Sequence, residues 1–88
     1  MRVLLAAMAV LTVSACGAEP NVYPEEAARA FHRTCTAGDA ICECIWDKIT
    51  RAMPHEEYVA ALKRYKTEGL MEPRIAQART ECLERHAQ

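Results

Sequence analysis

Beyond Ser14 the chain contains no serine, which removes the commonest hydroxyl nucleophile from everything that follows it. A threonine nucleophile assembled with His55 and Glu56 has no spacing to recommend it, and about 70 residues of helix leave little room for a closed pocket. We therefore expect no enzyme and assign no catalytic residue. Aromatic residues are scarce, with one phenylalanine, one tryptophan and three tyrosines, so Trp46, Tyr58 and Tyr65 are needed for a core before they are free to form a partner-binding patch. Neither sign of charge dominates: 11 basic and 12 acidic residues give a formal net charge of -1. The basic residues are scattered over the chain rather than gathered into a stripe, which argues against a nucleic-acid partner and against an anionic-lipid footprint. No segment alternates apolar and polar residues as a half-buried strand does. Internal repeats and low-complexity tracts are absent, and no apolar run reaches the roughly 20 residues of a membrane-spanning helix.

What is present in quantity, for so short a chain, is cysteine: five residues, three of them in Cys35-Thr-Ala-Gly-Asp-Ala-Ile-Cys42-Glu-Cys44. The first of the five, Cys16, stands apart. Met1-Arg2 and the apolar run from Val3 to Val13 form a charged n-region and a short h-region, the pattern of a secretory signal. They lead into Val13-Ser14-Ala15-Cys16, which resembles the lipobox of bacterial lipoproteins. That resemblance implies cleavage after Ala15, attachment of a diacylglyceryl group to the Cys16 thiol through a thioether, and acylation of the new amino group. Gly17, rather than the aspartate that resembles an inner-membrane retention signal, implies the periplasmic face of the outer membrane in a two-membrane bacterium. Cleavage after Ala18 would instead release a secreted protein. Either route delivers the chain to an oxidising compartment, where disulfides persist.

The expected organisation is a signal peptide at 1–15, a lipidated N-terminus and short tether at 16–22, and one domain at 23–88. With only 73 residues left after cleavage, a hydrophobic core alone supplies little stability, and Cys35, Cys42, Cys44 and Cys82 read as two disulfides. Four helices fit the pattern. Tyr23-Pro24-Glu25-Glu26 opens the first, with proline at the first helical position and acids at the positive end of the dipole; Ala27, Ala28, Phe31 and Cys35 are its apolar face. Asp39 is the expected N-cap of the second, whose stripe is Ile41, Ile45, Ile49 and Ala52 or Met53. Pro54-His55-Glu56-Glu57 opens a third, with Tyr58, Ala61, Leu62 and Tyr65 facing inward and Gly69 ending it. Pro73 opens the fourth, lined by Ile75, Ala78 and Cys82. The expected fold class is thus all-α, a small bundle of about four short helices stapled by two disulfides.

Phe31, Cys35, Gly38, Cys42, Cys44, Pro54, Glu56, Glu57, Tyr58 and Cys82 together look like the pattern of small exported four-cysteine helical bacterial proteins of unknown function. His55, between Pro54 and Glu56, departs from the commoner Pro-Glu-Glu. The resemblance implies a stapled helical fold and brings no activity with it.

At about 100° per residue, Cys42 and Cys44 lie about 200° apart on the second helix and do not bond each other. Two connectivities remain. Because Cys42 shares a side with Ile45 and Ile49, and Cys82 with Ile75 and Ala78, we favour Cys42–Cys82 with Cys35–Cys44 over Cys35–Cys42 with Cys44–Cys82. The rival chemistry is a thiol-redox or metal-binding protein built on Cys42-x-Cys44. Glu43 between the thiols opposes a lowered thiol pKa. His32-x2-Cys35, Cys42-x-Cys44 and Cys82-x3-His86 would offer zinc or copper(I) soft ligands, but exported thiols are usually oxidised, and we assign no metal and no cofactor. The functional expectation is a lipid-anchored envelope protein acting as a non-catalytic binding or structural accessory, attached to the membrane by its N-terminal lipid and partnered by an envelope protein.

Overall fold

The computed structural model of the chain describes residues 19–87; the Val13–Cys16 motif and the signal sequence lie outside the described residues. Four α-helices account for most of the described chain: α1 (Glu25–Thr34), α2 (Asp39–Ala52), α3 (His55–Glu68) and α4 (Pro73–Arg85). Among the described residues there is no strand, and no helix is long and apolar enough to cross a membrane.

The helix starts follow the sequence signals, displaced by one residue in three of the four. Pro24 and Pro54 take the N-cap position rather than the first helical one, with φ of -62° and -72° and extended ψ of 148° and 161°. Proline's fixed φ suits both places, and the Pro54 carbonyl still accepts from Glu57 and Tyr58 to start the ladder. Asp39 is the first residue of α2 and makes no cap; Gly38 holds the cap at φ 102°, a backbone that a side chain would strain. Pro73 stands where expected, and the Glu72 side chain caps α4 by accepting from the Arg74 amide. Gly69 closes α3 in the left-handed conformation at φ 73°. Met53, extended at φ -152°, makes the junction at Pro54 a break rather than a kink.

α2 is the central element. It packs along α4 and, over a shorter length, against α1. Ile45, Ile49 and Met53 are buried on its inner stripe with Tyr58 and Ala61 of α3 and Ala78 and Cys82 of α4. Met53 and Cys82 are fully buried. Around this small core an aromatic cluster joins Tyr23, α1 and α2 to α3. Phe31 stacks on Trp46 at 5.0 Å between ring centroids, and Tyr23 meets Trp46, His55 and Tyr58 edge-on or tilted at 5.1–5.5 Å. Trp46 and Tyr58 thus serve the core, as their scarcity suggested. Tyr65 does not: it is half exposed.

The last turn of α2 leaves carbonyls without helical partners, and distant residues satisfy three of them. The Thr50 carbonyl accepts from both the backbone and the side-chain amide of Asn21, each at 2.8 Å. Met53 accepts from the Tyr23 hydroxyl at 2.8 Å, and Ala52 from Arg74 Nη1 at 3.4 Å. The chain therefore joins the folded body at Asn21, inside the segment read as tether.

Candidate functional site

The four cysteines form two disulfides, Cys35–Cys42 and Cys44–Cys82, with Cα separations of 6.0 and 5.8 Å. The favoured pairing of Cys42 with Cys82 and Cys35 with Cys44 is therefore wrong, for a reason that lies in the flanks of α2. The separation of Cys42 from Cys44 around the helix holds, and each cysteine faces its own neighbour. α1 covers the flank that carries Cys42 and, one turn on, Trp46, which stacks on Phe31. α4 covers the opposite flank, which carries Cys44 and, one turn on, Lys48; there Lys48 Nζ meets Glu81 Oε1 at 3.2 Å. Ile45 and Ile49 lie between the flanks, so sharing a side with them did not select α4 as the partner of Cys42.

Cys42 and Cys44 thus belong to different bridges, and a Cys-x-Cys dithiol would exist only after both were opened. Nor are the histidines gathered around them. His32 Nδ1 donates to the Ala28 carbonyl at 2.8 Å, while its Nε2 lies 3.2 Å from Glu43 Oε2, out of line for a hydrogen bond. His55 packs its edge on Tyr23, and exposed His86 caps the end of α4. Among the described residues no group of three or more histidine, cysteine, aspartate or glutamate side chains is placed to hold a metal ion.

Among the described residues, a groove of about 340 Å³ lies between the end of α1, the second half of α3 and the outer side of α4. On α3 the buried residues are Tyr58 and Ala61, and the apolar side chains of Leu62 and Tyr65 that follow stay exposed. Beyond Ala61, the apolar residues of α3 have no helix to cover them. Leu62 and Tyr65 line the groove from α3, Phe31 from α1, Ile75 and Leu83 from α4, and Met71 from the connection between α3 and α4. Leu62, Tyr65, Met71 and Leu83 retain 37–51% of their exposure. The side chains expected to complete a buried stripe on α3 therefore divide in two, with Tyr58 and Ala61 in the core and Leu62 and Tyr65 on an open wall.

Two charged residues line the groove, Glu72 and Arg79, and their states differ. The Glu72 carboxylate, with a side chain only 10% exposed, accepts from Arg74 Nε and the Arg74 amide, each at 2.9 Å, and lies 3.4 Å from Arg64 Nη2. The hydrogen bonds from Arg74 pull its pKa down to about 2. Arg74 also binds Glu57 Oε1 at 2.9 Å, so this cluster ties the start of α4 to the start of α3. Arg79, by contrast, has no carboxylate partner among the described residues; its Nη1 reaches Met71 Sδ at 4.0 Å, across the groove mouth.

Sequence reasoning missed this groove. The half-exposed α3 stripe was its only signal, since Met71 and Leu83 belong to no periodic face. No protein-family model, no curated protein and no solved structure matches the chain.

Proposed function

We propose that this chain is a small lipid-anchored protein of the cell envelope that binds a partner without catalysing a reaction. The observation that carries the reading is the open apolar groove between α1, α3 and α4, two of whose walls, α1 and α4, are tied to α2 by disulfides. Exposed apolar surface at a concave site is retained where something covers it. The disulfides support an oxidising, extracytoplasmic location, and Val13-Ser14-Ala15-Cys16 supports lipid attachment at Cys16 and the periplasmic face of the outer membrane. Both bridges consume the thiols that a redox or metal role would need, and the balanced charge of the chain offers nucleic acid no footprint.

Two measurements test this. Labelled palmitate should enter the wild-type protein and not the Cys16→Ser variant; absence of label from the wild type removes the anchor. A photo-reactive residue in place of Leu62, illuminated in intact envelopes, should give a defined adduct by mass spectrometry, whereas one in place of exposed Glu26 should not. Equal and diffuse labelling at both positions would remove the binding role.

A further inference from the structure

Taking the groove as a binding site, as proposed above, its chemistry specifies an occupant. We propose that it holds the hydrocarbon tail of a free single-chain carboxylate, a fatty-acid-type amphiphile, with the carboxylate against Arg79.

Volume and charge carry the argument. At about 340 Å³ the groove sits at the lower end of small-molecule sites, roughly 300–1,000 Å³. Two turns of α-helix, roughly 11 Å long and 10 Å across, fill roughly 800–900 Å³, so a partner helix would lie over this groove rather than in it. Most of the lining is apolar, with Phe31, Leu62, Tyr65 and Leu83 its large side chains and Thr34 and Thr36 at the α1 end, which suits a hydrocarbon tail. The one acid on the lining, Glu72, is already neutralised by Arg74 and Arg64. The one uncompensated charge is therefore positive, on Arg79 at the mouth, where Met71 Sδ is its nearest polar contact. A guanidinium beside an apolar cleft selects a single anionic head on an apolar body, and its fork matches a carboxylate.

The test uses the exported full chain with Cys16→Ser, which needs no detergent, and probes kept below their micellar concentrations. The protein's single tryptophan, Trp46, reports occupancy because it stacks on Phe31, which lines the groove. Dodecanoate should bind saturably with one-to-one stoichiometry by calorimetry. Affinity should rise about threefold to fourfold per methylene from octanoate to dodecanoate. Dodecanol, dodecylphosphocholine and dodecyltrimethylammonium should bind more weakly. Arg79→Gln should weaken dodecanoate about threefold to tenfold and leave dodecanol unchanged, while Leu62→Glu with Leu83→Glu should abolish both. Absence of saturable binding, indifference to the head group, or equal loss of dodecanol and dodecanoate in Arg79→Gln would overturn the proposal. If dodecanoate fails while the photo-reactive residue at position 62 yields a single protein adduct, the carboxylate occupant is wrong and the binding role stands. If both fail, the groove is not a site.

Discussion

Tyr23 and Glu72 are two residues whose ionisation is tied to the fold. Tyr23 donates its hydroxyl to the Met53 carbonyl and lies among Trp46, His55 and Tyr58. Burial, and then the neighbouring Tyr58 and Glu57, push its pKa up from 10.0 to about 12. A raised folded pKa means that the native state resists forming the phenolate. The stability this contributes is complete below pH 10 and is lost as pH rises from about 10 through about 12. Melting temperature followed from pH 9 to 12 should fall steeply in that window for wild type and less for Tyr23→Phe. At neutral pH the same variant should cost about 1–2 kcal/mol, because a part-buried carbonyl loses its donor. Glu72 behaves in the opposite sense. Its depressed pKa contributes stability above about 4.5, and this is lost as pH falls toward about 2. Glu72→Ala should therefore lower the melting temperature at pH 7, and the gap to wild type should close between pH 4.5 and 2. A gap that is the same at pH 7 and pH 2 would show that the carboxylate charge is not what matters there.

At the scale of elements, the two bridges do different work. Cys44–Cys82 closes 38 residues and ties α4 to α2; Cys35–Cys42 closes 7 and ties only the end of α1 to the start of α2. Chain-entropy reasoning assigns the long bridge about 4 kcal/mol and the short one about 2.4 kcal/mol. A stability near 5 kcal/mol is ordinary for a domain of this size. Replacing both Cys44 and Cys82 with alanine should therefore leave only about 1 kcal/mol and lower the melting temperature, followed by circular dichroism, by about 16–32 °C. The Cys35→Ala, Cys42→Ala pair should still melt cooperatively, about 10–20 °C below wild type. The reverse order would show that the α1 junction, not the α2–α4 pair, holds the structure. Cleavage between the cysteines followed by non-reducing peptide mapping should recover the same two pairs.

At the scale of the molecule, stability and binding are carried by different parts of one helix. The first half of α3 gives Tyr58 and Ala61 to the core, and the second half gives Leu62 and Tyr65 to the groove. Leu62→Glu and Leu83→Glu change solvent-exposed positions, so each should shift stability by no more than about 0.5 kcal/mol, while the two together remove binding. Urea titration of the single variants checks the first half of that statement. Ala61→Glu, three residues from the core's Tyr58, should instead unfold the domain, since it places an unpaired charge at a position 2% exposed.

The sequence alone determined the class and the count of elements. Proline followed by acids, glycine at the exits and apolar residues at spacings of three and four dictate four helices, because caps and periodicity are local physics. It also determined that Cys42 and Cys44 have separate partners, because their angle around one helix depends on nothing else. Which partner each takes was decided only by tertiary structure: two flanks of α2 were open, and the packing of Trp46 against α1 and of Lys48 against α4 assigns them. The fate of the α3 stripe was decided there too. Leu62 and Tyr65 carry the same periodic signal as Tyr58 and Ala61, and periodicity records which residues share a face without recording where the neighbouring helix stops.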